Sequence, residues 1–238
     1  MMDFRAMKLV VQVKLLPDPE IASVLSATLA ACNEAANLVS TIAHTHRDAQ
    51  GKTPGNFDLR KLCYRQVRQI APGSQAAQLV IKKVTDAYTT LRANLKAGTH
   101  GTTGSPRYER IANQQITFRP DAAQPFDARN LSWDLDRKTL SILTVAGRLK
   151  NIPFACSRKQ LADLRAGTIK EPDLLTRDGM WFIHAVVETP DTLLSDPDGF
   201  LGVDLGVVNI ATDSDGKRRA GRWVNHKRRA ASEVEALG

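Results

Sequence analysis

MKLVVQVKLLPDPE, residues 7–20, sets the fold class. Leu9, Val11, Val13 and Leu15 alternate with Lys8, Gln12 and Lys14, the two-residue period of a strand with one buried face. Pro17 and Pro19 end it, and Asp18 is placed to cap a helix with Pro19 in its first turn. One strand cannot pair its own backbone groups, so its partners must come from later in the chain.

Three helical patterns follow. Over residues 20–45, Ile21, Val24, Leu25, Leu29, Cys32, Ala36 and Val39 recur at three- and four-residue steps. A polar loop over 48–57 leads to a second helix over 58–70, with Leu59, Leu62, Tyr64, Val67 and Ile70 as its apolar set. Pro72-Gly73 stops that helix, and Ser74 is a good cap for a third over 75–97. There Leu79, Val80, Val84, Tyr88, Leu91 and Leu95 point inward, and Lys82, Lys83, Arg92 and Lys96 lie elsewhere on the surface. Residues 97–106, AGTHGTTGSP, read as a flexible loop.

The period then changes. Short β-type runs cover 115–119, 130–134, 139–144, 147–154, 167–176 and 180–188, with a short helix over 157–165. Asp136-Arg137-Lys138 and Arg177-Asp178-Gly179 are hairpin turns. Strand, three helices, then many strands predicts an α+β fold. In it the first strand joins the later ones and the helices form an inserted lobe. PDTLLSDPDG, residues 190–199, is a linker, and a new unit starts near Phe200.

Composition narrows the function. With 42% apolar and 24% charged residues the chain is globular in type. It has no apolar run of about 18 residues, so no membrane span is expected. The N-terminus lacks a small-residue cleavage site, so no signal peptide is expected either. Cys32, Cys63 and Cys156 are far apart with no CxxC pair, which suits a reducing cytosol and predicts no zinc site. Residues 58–112 hold ten Lys/Arg against three acids, and residues 217–229 hold seven against none, within a net charge of +8. Two basic islands on a mildly acidic body point to a polyanion, most simply nucleic acid.

GFLGVDLGVVNIATDSDGKRR, residues 199–219, sets Asp204 inside an apolar run that reads as a central sheet strand, followed by a second strand over 208–212 and a turn over 213–216. A buried ionised carboxylate asks for a cation or strong hydrogen-bond donors. The reading thus divides between metal ligation and a carboxylate held by backbone amides or an Arg.

Taken in order, several stretches resemble the N-terminal part of the TnpB family, transposon-encoded RNA-guided nucleases related to type V CRISPR effectors. They are KLVVQVKLLPDPE, LAACNEAANLVSTIA, QLVIKKVTDAYTTLRANLK, SPRYERIANQQITFRP, LLTRDGMWFIHAVVETP and GFLGVDLGVVNIATDSDG. The resemblance implies a β-barrel-like wedge domain over 1–197 with a helical recognition lobe inserted at about 18–105. It implies the first strands of an RNase H-like (RuvC) domain over 198–238. It makes Asp204 a catalytic ligand for Mg²⁺, in a site where two divalent ions cleave a phosphodiester. It implies guide RNA and target DNA as partners, with no membrane. Lys82, Lys83, Arg92, Lys96, Arg107, Arg110 and Arg119 would contact nucleic-acid backbone, in the cytoplasm and at the nucleoid when DNA is bound. Tyr108, and less so Tyr64 and Tyr88, could stack on bases.

The chain departs from that pattern after Asp204. Asp213, Asp215, Glu233 and Glu235 are the only later carboxylates, and none follows a further strand pattern that would carry it back beside Asp204. The expectation is an incomplete metal site and no DNA cleavage by this chain alone, as in a protein cut off after its first catalytic motif. Two other readings stand beside it. One is a short, repressor-like RNA- or DNA-binding protein that does not cut. The other is a fragment of an actin-like ATPase, disfavoured because Val207 and Val208 stand where phosphate-binding hydroxyls would be needed.

Overall fold

A computed structural model describes residues 6–50, 52–190, 199–206 and 209–221. The chain divides into two compact units, Met1–Asp191 and Thr192–Gly238. The linker expected over 190–199 falls almost wholly outside the described residues, as do Val207, Val208, Glu233 and Glu235.

The first unit is α+β. It begins with β1 (Ala6–Leu15), followed by α1 (Pro19–Gln50), α2 (Asn56–Ile70), α3 (Ser74–Lys96) and a short α4 (Pro106–Asn113). Then come β2 (Gln124–Pro125), β3 (Leu131–Asp134), β4 (Thr139–Thr144), β5 (Gly147–Ala155), α5 (Arg158–Ala166), β6 (Thr168–Ile169), β7 (Asp173–Arg177) and β8 (Met180–Pro190). The strands make one antiparallel sheet in the order β2-β7-β8-β1-β5-β4-β3, with β6 also on β8. As expected, β1 finds its partners late in the chain: it pairs with β8 from Ala6↔Pro190 to Leu15↔Trp181, and with β5 at its end.

The sheet curls but does not close. Its ends, β2 and β3, are not paired to each other, so the barrel-like sheet that the resemblance implied is an open half-barrel. Its concave side is filled by Val11, Val13, Leu15, Phe126, Ile142, Ile152, Ile183 and their neighbours. Burying each such side chain stabilises by about 1.5–3 kcal/mol.

A second core lies among the helices, built from Cys32, Ala36, Val39, Leu59, Cys63, Val67, Val80, Ile81, Val84 and Tyr88. Helix α1 joins the two: Leu25 and Leu29 belong to the sheet core, Cys32 to Ala43 to the helical one. Small residues along α1 let α2 and α3 approach closely.

Local chemistry explains most element ends. Asp18 caps α1 by accepting from the Ile21 N–H at 2.7 Å. Ser157 and Gln160 form a reciprocal capping box on α5. Asp178 and Gly179 turn with φ of 51° and 71°, the mirror-image turn that suits a tight hairpin. Ser74 does not cap α3; it is the first helical residue, and Gly73 precedes it at φ 105°. The strand expected over 167–176 is broken at Pro172, whose carbonyl is taken by the Phe126 N–H.

The second unit contains a three-stranded antiparallel sheet, order β11-β10-β9, from β9 (Val203–Asp204), β10 (Asn209–Asp213) and β11 (Arg218–Ala220). The turn expected over 213–216 is present: the Lys217 N–H donates to Asp213 Oδ1 at 2.7 Å, and Gly216 has φ 79°. The central strand expected around Asp204 is not present among the described residues. Only Val203 and Asp204 are paired, at the sheet edge, and Leu201, Val203 and Leu205 are exposed. Gly202 and Gly206 flank the pair, and glycine is a poor strand residue.

Candidate nucleic-acid interface

Residues 115–119 alternate like a strand but have no strand partner among the described residues. Their backbone is satisfied instead by one polar face of α1. Asn37 acts as a surrogate strand: its Nδ2 donates to the Phe118 carbonyl at 2.9 Å and its Oδ1 accepts from the Phe118 N–H at 2.7 Å. The Ser40 hydroxyl donates to the Ile116 carbonyl at 2.5 Å. Asn33 Nδ2 donates to the carbonyls of Pro120 and Ala122 at 3.1 and 2.8 Å. Positions 33, 37 and 40 fall on one helical face, so these three residues pin the connection from helices to sheet. The periodicity was read as apolar, and this buried polar row was missed.

Lys83 belongs to that row. It is half-buried, donates from Nζ to Asn33 Oδ1 at 2.6 Å and lies 5.0 Å from the Phe118 ring centroid. Burial lowers its pKa to about 8, against weaker opposing pulls from Cys32 and Asp173. Burial likewise pushes the Cys32 thiol up to about 12 and Cys63 to about 11, so both are inert packing groups. Lys82 points outward but pairs with Asp86 at 2.9 Å and Glu171 at 3.7 Å. The roughly 400 Å³ depression at this place is lined by Lys82 and Lys83 together with Asp86, Glu171 and Asp173. Two ammonium groups face three carboxylates, so this part of the predicted basic face is not electropositive.

The other predicted cations stand differently. Arg92 and Lys96 are exposed on the last turns of α3, one turn apart. Arg107 and Arg110 are exposed on α4, a helix that sequence reading took as part of a loop and a basic run. Its signal was present: Ser105 followed by Pro106, where the Ser105 hydroxyl accepts from the Tyr108 N–H. Among the described residues none of these four is within salt-bridge distance of a carboxylate. Arg119 is exposed and weakly paired with Asp121 at 3.7 Å, beside Arg177 in a depression of about 460 Å³. Tyr88 is buried and bonded to Ser40, Tyr64 packs on the helical core, and Tyr108 is half-buried on α4.

Helix α2 carries a surface that sequence reading did not single out. Leu62, expected inward, is exposed, and Cys63 fills the core in its place. Lys61, Arg65 and Arg68 share the outward face with Phe57, itself 69% exposed. The spacing 61-65-68 was the readable sign of it.

In the second unit Asp204 is exposed. Cross-strand partners point to the same face, so the pairs Asp204–Thr212 and Thr212–Arg218 put these three side chains on one side of the sheet. They border a groove of about 740 Å³. Asp213 pairs with Val203, one residue along; it lines the same groove, and its Oδ1 accepts from the Lys217 N–H. Among the described residues no group of three or more His, Cys, Asp or Glu side chains is placed to hold a metal. No described helix is long and apolar enough to cross a membrane. No protein-family model matches the chain, and a comparison with curated proteins finds none similar to it.

Proposed function

We propose that this chain is the nucleic-acid-binding portion of a TnpB-like, RNA-guided DNA endonuclease of a transposable element, holding guide RNA and target DNA on its helical lobe. The observation that carries this reading is a run of exposed cations without carboxylate partners among the described residues: Arg92, Lys96, Arg107 and Arg110. They sit on helices inserted between the first strand of a sheet and the rest of it. Arginines in such an array bind phosphates by charge and shape, without reading sequence.

Asp204 contributes one carboxylate toward Mg²⁺ in this reading, and the chain's own residues supply no complete two-metal site. Thr212 and Arg218 beside it suit contact with a phosphate. The RNase H-like (RuvC) assignment of the second unit and the wedge assignment of the first belong to the same proposal.

The test is binding of RNA by the full chain as a function of salt. The proposal expects log K to fall linearly with log salt, and expects the variant R92A/K96A/R107A/R110A to lose about 0.7 of slope for each single-strand phosphate contact removed. Salt-insensitive binding, or an unchanged slope in that variant, would overturn it. Binding of ATP in its place would favour the ATPase reading. Mg²⁺-dependent DNA cleavage by the chain, abolished by Asp204→Ala, would refute the incomplete site.

A further inference from the structure

We propose that α2 presents a second nucleic-acid surface, separate from that of α3 and α4, which takes a single-stranded segment. This rests on the nucleic-acid reading above and names a different face and a different form of the ligand.

Successive residues turn by about 100°, so Phe57, Lys61, Arg65 and Arg68 fall within an arc of about 80° and span about 16 Å along the axis. The buried residues Leu59, Cys63 and Val67 occupy the opposite side. Each of α1, α2 and α3 packs against the other two in the helical core, so their outward faces diverge. A ligand on α2 is therefore not the ligand on α3.

Charge comes next. Between Asn56 and Ile70 there are four Lys/Arg and one acid, Asp58. Among the described residues no carboxylate lies within salt-bridge distance of Lys61, Arg65 or Arg68, whereas Lys82 on α3 has two such partners. A depression of about 490 Å³ follows this face, lined by Arg60, Lys61, Leu62, Tyr64, Arg65 and Gln66. Arg60, half-buried, adds a further cation to its lining.

The aromatic residue selects the form. Lys61 Nζ sits 4.3 Å from the Phe57 ring centroid, which holds the ring beside the cations. Phe57 is nonetheless 69% exposed, and Leu62 is 49% exposed. A duplex would offer this face phosphates alone. A single strand offers phosphates to Lys61, Arg65 and Arg68 and an unpaired base to Phe57, which is the pairing of funnel and platform that single-strand binders use.

The experiment uses the full chain, a fluorescein-labelled oligouridylate and a blunt RNA duplex of equal length. Phe57→Ala is expected to weaken oligouridylate binding by about 5- to 100-fold with the salt slope unchanged. The variant K61A/R65A/R68A is expected to lower the slope by about 2, at about 0.7 for each contact. Duplex binding should change little in Phe57→Ala. All four side chains are at the surface, and K61Q/R65Q/R68Q repeats the test with a second set of good helix formers. Wild-type affinity in Phe57→Ala overturns the proposal. So does an equal loss on duplex, or displacement of the oligouridylate by polyglutamate at matched charge, which would assign the face to an acidic protein segment. If R92A/K96A/R107A/R110A loses binding and the α2 variants do not, this inference fails and the proposed function survives. If the wild-type chain binds neither probe, both fail.

Discussion

Replacing Asn33 by alanine should cost this fold as much as a large apolar truncation in either core. The residue is fully buried and sits where α1 passes from the sheet core to the helical core. Its amide donates to the carbonyls of Leu29, Pro120 and Ala122, and its oxygen accepts from the Lys83 ammonium at 2.6 Å. In Asn33→Ala two carbonyls of the 114–123 connection lose their donor and a half-buried cation loses its acceptor. Each neutral bond contributes about 0.5–1.5 kcal/mol and the charged one about 1.5–3, so the loss should be about 2.5–6 kcal/mol. For a chain of this size that is about 5–24 °C in Tm. Asn33→Asp should do no better, because its carboxylate gains Lys83 but faces two carbonyl oxygens. The assay is urea denaturation followed by far-UV circular dichroism at pH 7. An Asn33→Ala midpoint within about 0.5 kcal/mol of wild type would refute the claim that this polar row holds the two cores in register, since that is the size expected of an ordinary surface change.

Three further expectations follow from particular contacts. Lys83 releases its proton at about pH 8 when folded and near 10.5 when unfolded, so the unfolded chain binds more protons between those values and stability rises with pH across them. Wild type should therefore gain on Lys83→Met as pH is raised from 8 to 10.5, and a constant difference in urea midpoint would contradict the burial of that amine. A Cβ on Gly167 would meet the Glu188 carbonyl oxygen and Val187 Cγ1 at 2.5 Å, so Gly167→Ala should cost about 1–3 kcal/mol by prising β6 from β8, seen as a lower Tm. Ser157→Ala opens the capping box on α5 and should cost about 1 kcal/mol in the same melt, with Ser157→Thr largely restoring it.

The frame of the first unit was open to sequence reading because its signals are local. The alternation through Leu9–Leu15, the Asp18 cap and the Arg177-Asp178-Gly179 turn each act within a few residues, and each stands where the sequence places it; the Ser157–Gln160 box is equally local, though the sequence reading has only the short helix there. What stayed hidden depends on distant partners. Residues 115–119 have strand periodicity, but Asn33, Asn37 and Ser40 of α1 supply what a neighbouring strand would. Lys83 carries the same charge as Lys96, and only its packing against Asn33 and Phe118 takes it out of the surface set. The pairing of Lys82 with Asp86 was legible as a one-turn step; the contribution of Glu171, from beyond β6, was not. At Asp204 the apolar neighbours suggested a buried strand, while the flanking glycines limit the pairing to two residues at an edge.

The proposed function puts nucleic acid on the helical lobe, on the faces of α2 and of α3 with α4. Photo-crosslinking of the full chain to 4-thiouridine-substituted RNA, with the linked peptides identified by mass spectrometry, asks this most directly. Crosslinks are expected at Phe57 on α2 and in the peptides bearing Arg92 to Arg110. Crosslinks confined to peptides outside residues 56–113, or none above a scrambled-charge control, would contradict it.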